Sequence, residues 1–174
     1  MTKRAGRRPI ELSYVLDEPT FLQAGHALWR VGRRRRSVQV RSWILLAALP
    51  LGLFLALRYG MWFTFLAILA LAALHFVFDW PLSRAFMRRG FEQLPAANRA
   101  MHWRIDERGL RVRVEGEDEA LISWSALIRV VEDEAGFILF QPHNVHHWLP
   151  REAFASSRDI ERFRQLVERH GLWT

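Results

Sequence analysis

The sequence predicts a membrane protein made of a two-helix transmembrane hairpin and a small α+β domain, an antiparallel sheet or partial barrel closed by a C-terminal helix. Three observations lead there. Trp43 to Leu57 is an uncharged apolar run and Tyr59 to Phe78 is a second, with only Arg58 between them. Leu110, Val112 and Val114 alternate with Arg111, Arg113 and Glu115, the period of a half-buried strand. Near the C-terminus Ile160, Phe163 and Val167 recur at helical spacing, with Leu166 beside them.

A helix rises about 1.5 Å per residue, so crossing a hydrocarbon core of about 30 Å takes roughly 20 residues. The second run is long enough alone. The first holds Pro50 and Gly52 and is shorter, but it extends upstream through Val38 and Val40 if Arg41 snorkels to the interface. This sets a hairpin over 38–80, with spans near 39–57 and 60–79. The alternative is a buried helical hairpin in a soluble protein, yet neither run shows a polar face for water. The first run starts too far from the N-terminus for a signal peptide. With no cysteine, there is neither a disulfide framework nor a thiolate metal site.

The net charge of +7 is concentrated before the first run, where ten basic side chains face only Glu11, Asp17 and Glu18. Basic residues flanking a span mark the cytoplasmic side. Arg30, Arg33 to Arg36 and Arg41 lie before the hairpin and Arg84, Arg88 and Arg89 after it, so both termini are expected in the cytoplasm. Tyr59, Gly60 and Trp62 fit the far interface, and Trp43 and Trp80 the near one. Arginine far outnumbers the single lysine, Lys3, which points to a bacterium and hence to its inner membrane. Arg33, Arg34, Arg35 and Arg36 are read as contacts to anionic lipid headgroups, worth about 1 kcal/mol each, in preference to nucleic acid.

Residues 1–37 read as a short strand, Glu11 to Leu16, followed by an amphipathic helix opened by Asp17, Pro19 and Thr20. That helix has two possible resting places, the membrane surface and the C-terminal domain. Residues 81–100 form a juxtamembrane linker and 101–174 the domain. Turn residues divide the domain into a meander with strands near 101–105, 109–115, 120–124, 127–132, 137–141 and 145–149. Ser156 or Ser157 caps the last helix and Gly171 ends it. The domain is small for a stable core, so the Glu11 to Leu16 strand is a candidate to complete its sheet.

Arg104 to Gly109, Ile122-Ser123-Trp124-Ser125 with Ile128 and Val131, Phe137 to Phe140, and Leu149 to Phe154 follow in an order that resembles the YcxB-like family. The resemblance implies a domain similar to bacterial pleckstrin-homology-like domains, held at a membrane. It brings no catalytic residue and no established biochemical role.

Among groups that could carry chemistry, His143, His146 and His147 are the nearest to a metal site. On a strand His146 and His147 face opposite sides, and no acidic or cysteine ligand stands near, so a solvated edge is expected. His75 and Asp79 share a face of the second span. A neutral His75 bonded to the partner helix is favoured over a proton relay, with Asp79 at the headgroup edge and Pro81 ending the helix. Glu117 to Glu119 and Glu132 to Glu134 read as turns, and Trp124 and Trp148 as core or membrane-facing strand residues. No nucleophile elbow, phosphate loop or HExxH helix is visible, so neither an enzyme nor a cofactor is expected. The leading reading is a membrane-anchored interaction or scaffold module with a protein partner, possible as a homo-oligomer. The alternatives are a small oligomeric channel or transporter component and an anionic-lipid sensor.

Overall fold

The structure, a computed structural model, describes residues 8–33 and 36–173. The chain divides into two units. One takes in the residues up to Ala27 and those from Phe91 onward, and the other is Leu28–Gly90.

The first unit holds seven strands: β1 (Ile10–Val15), β2 (Ala100–Asp106), β3 (Gly109–Val114), β4 (Ala120–Ser123), β5 (Arg129–Asp133), β6 (Gly136–Phe140) and β7 (His146–Pro150). They form two open antiparallel sheets, β1-β2-β3-β4 and β5-β6-β7. The N-terminal strand does complete the first sheet, pairing from Ile10↔Ile105 to Val15↔Ala100. Ile10, Ile105, Leu110 and Ile122 then make one inward row across four strands, each at most 8% exposed. Period-two alternation fixes this register, because a slip of one residue would turn the whole row to solvent.

The expected meander is interrupted, and no closed barrel forms. Trp124–Ala126 winds into a 3-10 turn, so β4 stops one residue early and β5 begins in the other sheet. At the break the indole of Trp124 is buried and its Nε1–H donates to the Asp106 carbonyl, 18 residues away, at 2.9 Å.

Helix α1 (Glu18–Arg33) starts at Asp17, whose carboxylate accepts the Thr20 amide at 2.9 Å. The C-terminal helix, here α5, is numbered after α2 (Arg36–Tyr59), α3 (Trp62–Ala73) and α4 (Asp79–Glu92), and spans Ser157–Arg169. Ser156 caps it by accepting the Asp159 amide, and Gly171, at φ +64°, closes it. Its buried stripe, Phe163, Leu166 and Val167, fills the space between the sheets. Phe163 touches the rings of Phe137 at 4.9 Å and Phe154 at 5.8 Å. Beyond the helix, the Leu172 carbonyl accepts the Val130 amide and covers the outer edge of β5.

The second unit is helical. Within α2, Val38–Tyr59 is long and apolar enough to cross a membrane, and only 11% of its most apolar window is buried. A core helix of a soluble protein would be mostly covered. Gly60, at φ +73°, turns the chain back into α3, its amide donating to the Ala56 carbonyl. The second segment departs from the expected straight span. After α3 comes a π-helical turn, Leu74–Phe78, then α4, with a bend of 57° between Trp62–Phe78 and Trp80–Glu92. Helix α4 runs through Pro81 into the stretch expected to be a linker. Pro81 falls at that bend, where proline's missing N–H and its ring kink a continuous helix without ending it.

The two antiparallel helices meet along a seam of small residues. Gly52 and Ala56 of α2 and Ala72 of α3 are buried, while Phe63 is 90% exposed and Trp43 71%. A side chain at position 52 would begin 2.9 Å from Ile68 Cδ1, so glycine sets the close approach.

Candidate functional site

The seam ends at a polar cluster. The π-turn carries His75, which is 8% exposed, and α2 supplies Arg41 and Ser42. Ser42 Oγ donates to the Val38 carbonyl at 2.9 Å and so spends its only proton there. It therefore accepts from His75 Nε2–H at 2.9 Å, and His75 Nδ1 accepts from Arg41 Nη2 at 3.4 Å. This relay fits a neutral imidazole with its proton on Nε2. The wider helical turn at Leu74–Phe78 is a feature common at functional positions, and here it accompanies a histidine with both ring nitrogens engaged by the facing helix. The expected bond from His75 to the partner helix is present. Arg41 engages the imidazole, which snorkelling alone does not anticipate.

Arg33 lies over the Trp29 ring at 4.9 Å, and Trp29 meets Trp80 at 5.5 Å. Arg34 and Arg35 lie outside the described residues, as do the side chains of Arg36 and Asp79.

The three histidines near β7 separate. His143 occupies the 3-10 turn Pro142–Asn144 at φ +61°, and His146 is exposed. His147 turns inward, with Nε2 2.8 Å from Gln141 Oε1 and its ring edge-on to Trp103 at 5.5 Å. Burial, reinforced by neighbouring His146, lowers its pKa. Among the described residues no group of three or more His, Cys, Asp or Glu gathers to hold a metal ion.

Trp148 is buried on β7, and its carbonyl accepts Tyr14 O–H from β1, tying the two sheets together. Burial pushes the Tyr14 phenol up, opposed in part by the Trp103 side chain. Glu132 belongs to β5 and is not part of a turn. It accepts Arg164 on both oxygens, at 3.0 and 2.6 Å, and Arg151 at 2.6 Å. Those arginines hold its carboxyl below the usual range. Nothing in the sequence signals this hub, because its three members are far apart in the chain and each reads as a surface charge.

These features define a class: an α+β domain of two open antiparallel sheets closed by a helix, with a helical hairpin inserted between its first two strands. Residues 105–167, from the end of β2 into α5, match the family model described as YcxB-like protein. No curated protein matches the chain.

Proposed function

We propose that this protein is a membrane-anchored interaction or scaffold module without enzymatic activity, held by the hairpin in a bacterial inner membrane with both termini in the cytoplasm. One observation carries the reading: β1 precedes the helical segment, β2 follows it, and the two are paired along six residues. A chain that leaves and re-enters the same sheet must cross a membrane an even number of times. With Val38–Tyr59 as one span, the bent segment after Gly60 is the return. The arginines flanking both ends support the cytoplasmic orientation. Two antiparallel sheets closed by a helix support a pleckstrin-homology-like reading of the domain, a type of fold that serves recognition by its surface.

A channel or transporter component is the weaker alternative, because His75 is fully engaged between the helices and the seam beside it is packed. Binding of anionic headgroups by Arg33 to Arg36 belongs to the anchoring role. The test is a pair of fusions, with a cytoplasm-active and a periplasm-active reporter placed in turn at residue 174 and at Gly60. Cytoplasmic activity at 174 with periplasmic activity at Gly60 is expected. Cytoplasmic activity at both positions sinks the two-span reading.

A further inference from the structure

Among the described residues, His75 is the one polar or charged side chain that is fully buried. Its two partners on α2 have fixed roles. Ser42 Oγ has given its proton to the Val38 carbonyl, so toward the ring it only accepts, and the Arg41 guanidinium only donates. The ring must therefore offer an N–H at Nε2 and a lone pair at Nδ1. Neutral imidazole does both. A proton on Nδ1 removes the acceptor and sets a second positive charge beside Arg41. Swinging the exposed Arg41 aside relieves the repulsion, but it leaves a buried cation whose new N–H has no acceptor among the described residues.

The surroundings supply no compensating charge among the described side chains. Helix α3 carries no titratable residue, and the turn Leu74–Phe78 carries none besides His75. Helix α4 opens with Asp79, whose side chain lies outside the described residues, and its next charge is Arg84. Helix α1 meets α4 through Trp29 and Trp80, with Arg30 and Arg33 in its last turn and Arg33 over the Trp29 ring. The ring rides on a π-turn, which holds more residues per turn than an α-helix. Rewinding that turn to α-helix would carry His75 out of the seam and rotate α4 about its axis by about 100°.

We propose that His75 is a proton-operated latch. Neutral, it ties the π-turn to α2; protonated, it leaves the seam, the turn rewinds and α4 rotates against α2. The inference concerns packing within the helical unit and stands or falls separately from the topology tested above.

The test uses the full chain in nanodiscs, where both ends of the hairpin meet the same pH. The chain has no cysteine, so spin labels attach cleanly at I44C on α2 and F86C on α4, both exposed positions. Between roughly pH 8 and pH 5 the distance between the labels is expected to shift by at least about 5 Å, and amide exchange over Leu74–Phe78 to rise at least about tenfold. H75Q should show neither change, because a glutamine amide donates to Ser42, accepts from Arg41 and takes up no proton. In R41E a carboxylate faces Nδ1, only the protonated ring satisfies both partners, and acid should close the latch instead of opening it. D79N should respond as the wild type does. A wild type whose label distance and exchange ignore pH overturns the proposal, whatever the variants do. So does a response that persists in H75Q, keeps its direction in R41E or vanishes in D79N.

Discussion

Glu132 joins three separate parts of the domain through two arginines, Arg151 after β7 and Arg164 on α5. All three side chains are partly exposed, so the cluster is worth far less than a buried one. Arg164 nevertheless engages both carboxylate oxygens, a geometry that raises the value of a pair. E132Q should therefore destabilise the domain by about 1 kcal/mol, roughly 4–8 °C in the melting of its tryptophan fluorescence. The pH dependence has a definite sign. A carboxyl held below its ordinary value of 4.5 contributes fully above that value and loses its contribution as pH falls through the depressed one. The gap between wild type and E132Q should be widest at neutral pH and close in acid. A gap constant from neutral to strongly acidic pH would show that the ion pairs are not its source.

At the scale of elements, the hairpin and the first sheet make separate predictions. G52A asks only that Ile68 Cδ1 move, and the end of a flexible side chain moves cheaply. G52L must also pass Phe65, whose Cα lies 3.7 Å away, so it should force α2 and α3 apart and destabilise the hairpin by about 1–3 kcal/mol. Amide hydrogen exchange in α2 and α3 should be near wild type for the first variant and faster for the second. On β1, I10A should cost about 2–4 kcal/mol, because Ile10 anchors the inward row, while E11A on the outward face should stay within about 0.5 kcal/mol. Equal melting temperatures for the two variants would refute the role of β1 in the sheet. These elements were also unequally legible in the sequence. Alternation through Leu110 to Val114, the stripe on α5, and the Gly60 turn are local periodic signals, and the structure follows them. The break at Trp124 depends on a carbonyl contributed by Asp106, and the π-turn at His75 on contacts with the facing helix. Neither partner is visible from the segment itself. Pro81 misled because proline reads as a stop, whereas here the helix continues through it with a bend.

For the whole molecule, the decisive feature is where the helices enter the domain. After the last β1–β2 pair, Val15↔Ala100, the Leu16 amide donates to the Arg99 carbonyl at 3.0 Å and the Asn98 amide to the Leu16 carbonyl at 2.9 Å. The two chain ends bracketing the insertion are thus already at hairpin distance. Replacing residues 17–98 with Asn-Gly should close β1 and β2 into an ordinary two-residue hairpin. The Phe21–Phe91 contact, at 5.5 Å, is lost in doing so, which lowers stability but removes no strand and no part of the core between the sheets. The shortened chain should be soluble without detergent, melt cooperatively, and keep the near-ultraviolet signal of its buried tryptophans. If it aggregates or melts without a transition, the sheets depend on the helical segment for their fold, and the hairpin is a structural part of the domain as well as the proposed anchor.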